Sequence, residues 1–437
     1  MSLIRLKPVK KRRVSDDLIL ALDIGTEFVK AIIAKKPPKI SKKSSDSDDE
    51  AVENSCLEIL GVGKSPQHSG NMYNGGISDI PAVADACEEA LKIAEKEAGV
   101  SAKKVVVGIA GELVKGNTAT IRYRRSSSDK PLTESEVKLI FEKIEKRSLE
   151  KAKKELSLET DNSEVEVRLI NSALVSLSID GYKISNPVGF KGSDVKIQYY
   201  TAFAPLVHIS AIEKVCAELN LDLLAVAVEP FAVCRACLGD DPESNFSGIL
   251  LDIGGGTTDV ALIDDGGVEG TKMFNIGGRA FSRQISESLG ISFEEAEDLK
   301  LNLDNNEIDD ALRSKASAAV DKNLSVWLAG VELALADFKH LDVLPKEIYL
   351  CGGGAGLSAL QESLALSDWY KKLPFSRRPI VNLVDPEILP DFKYSSEITL
   401  DYSYLTALGL LRVALDTSEE SPEENSLKSK LKKILSN

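Results

Sequence analysis

The chain has 437 residues, enough for two or three domains around a large buried core. Its net charge of −14 at pH 7 excludes a body built for general nucleic-acid binding. No apolar run reaches the roughly 18 residues of a membrane-spanning helix.

In chain order, the N-terminus is basic (Lys7, Lys10, Lys11, Arg12, Arg13). The apolar stretch Leu18–Leu22 is bracketed by Asp17 and Asp23, which makes a poor signal peptide and a good buried strand. A cytoplasmic compartment is therefore expected. The segment 18–34, LILALDIGTEFVKAIIA, reads as strand, glycine turn, strand, hence an antiparallel hairpin. Residues 36–55 are rich in Lys, Ser and Asp and predict a disordered insertion. Apolar residues at helical spacing over 80–98, with Pro81 near the start, predict a helix. KKVVVGIAGE then reads as a strand. A charged amphipathic helix is expected after Thr133, which forms a capping box with Glu136. Several strands are predicted over 164–204 and a helix over 209–219.

Cys234 and Cys237 form a CxxC with no second Cys/His pair near it, so buried thiols are expected there. A second hairpin, GILLDIGGGTTDVALIDDGG, spans 248–267, about 230 residues after the first, and suggests two related halves. Helices are predicted over 280–300 and through much of 310–340. A third glycine run after a strand lies at 347–364. Residues 416–425 read as a polar tether. In the final twelve residues, Leu427, Leu431, Ile434 and Leu435 fall on one helical stripe, flanked by Lys428, Lys430, Lys432 and Lys433. That pattern fits a helix lying in the headgroup region of an anionic membrane.

The glycine turns carry chemistry. Glycine lets a backbone approach phosphate and turn its N–H groups inward, and threonine adds a hydroxyl donor. Gly25, Thr26, Gly254, Gly255, Thr257 and Thr258 are thus candidate phosphate donors. Aspartates beside phosphate make sense only with a cation between them, so Asp23, Asp252 and Asp259 are candidate ligands of Mg²⁺ through water.

This constellation resembles the actin-like ATPase superfamily, whose three nucleotide motifs match 21–30, 250–261 and 348–356. The resemblance implies an α/β, actin-like (ribonuclease H-like) two-domain fold that binds ATP and Mg²⁺. It adds Lys30 and Gly256 to the phosphate motifs and sets Gly352, Gly353 and Gly354 against ribose and adenine. Glu229, in AVAVEPFAVCRACL, falls where the superfamily places a residue that positions the attacking water, with Asp252 as its catalytic companion. The wider pattern is similar to the FtsA family. GIAGE together with NPVGFKG carries most of that likeness, and FEEAEDLK would put Glu297 and Lys300 near the base.

The FtsA resemblance implies a domain plan. Domain I would comprise 15–101 and 187–245, interrupted by an inserted subdomain at 102–186. Domain IIA would begin with 246–275, subdomain IIB would take 276–345, and 346–415 would complete domain IIA and return to domain I. A tether at 416–425 and a membrane-targeting helix at 426–437 would follow. It also implies self-association into filaments on the inner face of the membrane, slow ATP turnover, and FtsZ as a partner of subdomain IIB. One departure concerns IGGRAFS: Gly277 and Gly278 remain to approach phosphate, but Arg279 and Ala280 replace the family's usual acidic-or-amide and histidine pair. Two alternatives are a PilM-like pilus-assembly homologue and an actin-fold sugar kinase. The amphipathic terminus argues against the first, and the lack of a further catalytic motif against the second.

Overall fold

The computed structural model describes residues 17–37 and 56–418, except 69, 74, 112–113, 185, 239–245, 305–307, 390 and 396–397. The insertion from 38 onward and the terminal stripe (Leu427, Leu431, Ile434, Leu435, Lys428, Lys432) lie outside the described residues.

The first half opens with β1 (Leu18–Ile24), β2 (Phe28–Lys35), β3 (Leu57–Pro66) and a small ribbon of β4 (Met72–Tyr73) and β5 (Gly76–Ile77). Then come α1 (Ile80–Ala98), β6 (Lys104–Ile109), β7 (Lys115–Arg124), α2 (Glu134–Thr160), β8 (Val167–Ile179), β9 (Tyr182–Lys183), β10 (Asp194–Pro205), α3 (Leu206–Glu218), β11 (Asp222–Val228) and α4 (Glu229–Leu238). The second half has β12 (Gly248–Ile253), β13 (Thr258–Asp264), β14 (Gly267–Phe274), α5 (Gly278–Leu289), α6 (Phe293–Leu301), α7 (Asp310–Ala336), β15 (Glu347–Cys351), α8 (Ser358–Leu366) and β16 (Ile380–Leu383). β17 (Phe392–Tyr394) and α9 (Leu405–Ser418) return to the first half.

One strand order occurs twice. The first sheet runs β11-β6-β1-β2-β3-β17, and the second begins β16-β15-β12-β13-β14. In each, a hairpin (β1–β2 or β12–β13) takes an antiparallel strand on one side and a parallel strand on the other. β1 is buried at all seven positions, as a strand covered on both faces should be.

Local chemistry accounts for the helices around the first sheet. α1 starts at Asp79, whose carboxylate accepts from Ala82 N at 3.1 Å, and stops at Gly99, with φ 67°. Its buried face includes Val83, Cys87, Ala90 and Ala94. A Cβ on Gly63 of β3 would fall 1.9 Å from the Ala90 carbonyl oxygen, so glycine there lets helix and sheet meet backbone to backbone.

The inserted layer departs from the expected boundaries. Lys104–Ile109, expected inside the insertion, pairs in parallel with β1 and β11 of the first sheet. The layer's own strands run from Lys115 to Pro205 rather than over 102–186, because β10 pairs with both β7 and β8. Its core joins Ile140, Phe141 and Ile144 of α2 to Ile179, Val195, Ile197 and Tyr199. β7 also meets β14 at Asn117↔Gly270, which makes the second sheet nine strands wide. Thr133 caps α2 by accepting from Glu136 N, but the Glu136 carboxylate grips Arg125 at 2.8 and 2.9 Å instead of returning to the cap.

Other expectations shift by smaller amounts. The helix expected over 280–300 is two helices, because Gly290 at φ 67° ends one and a Ser292–Glu295 capping box starts the next. Asp416, expected to open the tether, lies in α9 and bonds Arg235 and Arg412, and the expected tether from 419 onward lies outside the described residues. Cys234 and Cys237 sit in α4; burial pushes the Cys237 thiol up to about 12 and the Cys234 thiol well above its usual value. No helix among the described residues is long and apolar enough to cross a membrane.

Candidate functional site: a carboxylate-lined cleft

Two hairpin turns meet over a cavity of about 450 Å³. The first is closed by Gly25 N donating to Phe28 O at 3.1 Å, the second by Gly254 N donating to Thr257 O at 2.9 Å. The start of α5 lies against the second turn: Gly278 N donates to Gly254 O at 2.9 Å and Arg279 N to Gly255 O at 2.8 Å. A Cβ on Gly277 would fall 2.5 Å from the Gly254 carbonyl oxygen, so only glycine permits that approach.

The hairpins hold equivalent positions. Asp23 pairs in register with Lys30, and Asp252 with Asp259. Lys30 Nζ reaches Asp23 Oδ2 at 3.0 Å. Asp252 Oδ2 accepts from the Thr406 hydroxyl of α9 at 2.5 Å. Glu229, at the head of α4, faces the same cavity.

Three carboxyl groups, Asp23, Asp252 and Glu229, therefore act on the Lys30 ammonium, and Asp259 lies beside Asp252. Burial, then Asp23, Asp259 and Asp252, push Glu229 well up, against a smaller opposing effect of Lys30. Burial and Asp252 push Asp259 well up. Burial raises Asp252, opposed by Thr406 and Lys30. Glu229 and Asp252 face the cavity and keep some contact with solvent, but surrounding protein shields both. For Lys30, burial acts to lower the pKa, and Asp23, Asp252 and Glu229 overcome it to raise it. Buried acids in excess of buried cations favour a bound cation that could offset them.

The far end of the cavity is walled by Glu297 and Lys300 of α6 and by Gly352, Gly353 and Gly354. Lys300 Nζ donates to Glu297 at 2.8 Å and to the Ser282 hydroxyl at 3.0 Å, which joins α6 to α5. A Cβ on Gly352, at φ 78°, would fall 2.1 Å from Asp252 Oδ1, whereas one on Gly353 would meet nothing. A Cβ on Gly354 would fall 2.5 Å from Ile253 Cγ2, so Gly353 alone of the three is open.

Of the expected site residues, Asp23, Gly25, Thr26, Lys30, Glu229, Asp252, Gly254, Gly255, Thr257, Asp259, Gly278, Glu297, Lys300 and Gly352–Gly354 line this one cavity. Gly256 and Gly277 stand behind it, packed against the Thr26 side chain and the Gly254 carbonyl. Thr258 is a correction. Its hydroxyl donates to Ile276 O at 2.7 Å and accepts from Trp327 Nε1 at 3.0 Å, so it serves the core and has no proton left for a phosphate. Thr257, the residue just before β13, takes the cavity side instead.

Sequence reasoning missed Thr406, Glu27, Lys64 and the 401–403 segment, all of which line the cavity. Among the described residues no three Cys, His, Asp or Glu side chains converge closely enough to grip a metal directly. A metal here would therefore keep water and ligand oxygens in its coordination sphere, which suits the hard cation Mg²⁺.

The duplicated strand order, with a cleft between paired glycine hairpins, is the actin fold. A chain of the PilM-PilN type IV pilus biogenesis complex has the same fold (TM-score 0.62, 16% identity, 91% of this chain and 98% of that one). Residues 249–387 match the model of the family described as cell division protein FtsA. The chain is 26% identical to cell division protein FtsA of Enterococcus faecalis over 65% of its own length and 58% of the relative's. It is 28% identical to that of Streptococcus pneumoniae over 64% and 54%, and 24% identical to that of Bacillus subtilis over 68% and 60%. The chain thus spans less than two thirds of the length of these relatives. Together these similarities relate the chain to FtsA proteins over part of its length.

Proposed function

We propose that this chain binds ATP with Mg²⁺ in the cleft, assembles into filaments on the cytoplasmic face of the membrane, and tethers FtsZ there during cell division. The observation that carries the nucleotide reading is the convergence of Asp23, Glu229, Asp252 and Asp259 on one cavity with both glycine turns. Bound Mg²⁺ would neutralise charge on both the carboxylates and the phosphates. The Gly25 and Gly254 N–H groups are spent on closing the turns and the Thr257 hydroxyl on Asp259, so the remaining turn N–H groups and the Thr26 hydroxyl would donate to phosphate oxygens. Lys30, held by Asp23, supplies positive charge beside them, and Glu229 orients water. Turnover is slow in this reading, since a filament switch needs only occasional hydrolysis.

The membrane part rests on the amphipathic stripe in 426–437. Full burial of each apolar side chain is worth about 1.5–3 kcal/mol and each lysine near anionic lipid about 1 kcal/mol. Ordering the helix offsets much of that. One tail is then a weak anchor, and a filament carrying many tails is a strong one. FtsZ would dock on the helices within 276–345.

Calorimetry with Mg·ATP on the full chain tests the central claim. The wild type binds, and Asp252→Ala binds at least tenfold more weakly if the carboxylate helps hold the metal. Undiminished affinity in the variant would remove Asp252 from the site.

A further inference from the structure

Arg279 follows the Gly277–Gly278 pair at the start of α5, and its partner lies in the other half of the molecule. Its Nε donates to Glu27 Oε2 at 2.5 Å. Glu27 belongs to the turn between β1 and β2, whereas Arg279 is in the first turn of α5. Both side chains line the cavity, and they are 29% and 19% exposed, so the pair sits where the cavity meets solvent.

The pair is held from both sides. The Arg279 guanidinium lies 5.9 Å from the centre of the Phe293 ring, and its own backbone N–H is tied to Gly255 O. The two turns already touch beside it. A Cβ on Gly255 would fall 3.0 Å from Glu27 Cβ, and one on Gly256 would fall 3.2 Å from Thr26 Oγ1. Lys30 is paired within its own hairpin and Lys300 within its own helix, but Arg279 reaches across to the opposite half.

We propose that the Glu27–Arg279 ion pair is a latch across the cleft that slows release of the bound nucleotide, an inference that rests on the nucleotide reading above. The turns cannot part without breaking it. A ligand held beneath the turns leaves only when they part. The bond is charge-assisted and largely shielded, so its loss is felt in the rate of opening.

Stopped-flow release of a fluorescent ATP analogue, with Mg²⁺ and the full chain, tests the latch. Arg279→Ala and the near-isosteric Glu27→Gln should each release the analogue about tenfold faster, the effect of losing one charge-assisted hydrogen bond. The exchange of charges, Glu27→Arg with Arg279→Glu, should bring release back towards the wild-type rate. Single variants that release at the wild-type rate overturn the latch. So does a pattern in which Arg279→Ala abolishes binding and Glu27→Gln changes nothing, since Arg279 would then be a direct ligand contact. A wild-type chain that binds no analogue overturns the nucleotide reading itself.

Discussion

Gly409, in the middle of α9, tests how the helices behind the cleft set its geometry. α9 crosses α4 so closely that a Cβ on Gly409 would lie 2.0 Å from the Ala232 carbonyl oxygen and 2.3 Å from its carbon. Those are backbone atoms and cannot swing aside. Gly409→Ala must therefore move the helices apart by about 1 Å to bring the contact from 2.0 Å to beyond 3.0 Å. Overpacking of this kind costs about 1–3 kcal/mol. The substitution also gains about 1 kcal/mol of helix propensity, so the net effect is a loss of up to about 2 kcal/mol. The displacement reaches the site. Three residues earlier, Thr406 bonds Asp252, and α4 carries Glu229 at its head. Urea unfolding followed by circular dichroism should show a lower midpoint with an unchanged slope. Calorimetry should show weaker Mg·ATP binding in the same variant. A midpoint that rises, as propensity alone would give, refutes the argument that the crossing is closed to a methyl group.

Two further predictions address the inserted layer and the terminus. Asp180 adopts φ 49° in a turn before Gly181, and its carboxylate accepts from Asp194 N, Ser193 N and the Ser193 hydroxyl. These bonds, that from Asp194 N foremost, hold its pKa below the ordinary 3.8. A depressed folded-state pKa contributes stability that is present above the unfolded value and is lost as pH falls through the folded one. Asn tolerates positive φ, so Asp180→Asn keeps the turn and removes the charge. It should be less stable than wild type at neutral pH, with the gap closing in acid below about 3.8; a gap independent of pH would refute this. Removing 426–437 should release the protein from anionic liposomes in a sedimentation assay, and equal pelleting of the truncated chain would place the attachment elsewhere.

What could be read ahead of the structure was local. The strand–turn–strand pattern at 18–34 and 248–267 produces two hairpins, because apolar strands and glycine turns are specified by neighbours in sequence. The cavity contacts that depend on distant segments were not legible. Thr406 sits in an apolar helix 154 residues from Asp252 and carries no motif. The meeting of β7 with β14 rests on a single register pair, Asn117↔Gly270, which no periodicity announces. KVVVGI looked like the start of an insertion, yet its nearly continuous burial is that of a central parallel strand.

The two hairpins are asymmetric in charge. At equivalent positions of the two hairpins, the first half pairs an aspartate with a lysine and the second pairs an aspartate with an aspartate. The first hairpin can neutralise itself through the 3.0 Å Asp23–Lys30 contact. The second cannot, and burial raises the pKa of both its acids. A fold that keeps two adjacent shielded carboxyl groups on one hairpin spends stability on them. A cation brought from outside would offset that cost, since the Thr406 hydroxyl and Lys30 offset only part of the charge. A metal entering the cleft would thus meet its uncompensated carboxyl groups on the β12–β13 side, while β1–β2 supplies a fixed positive charge.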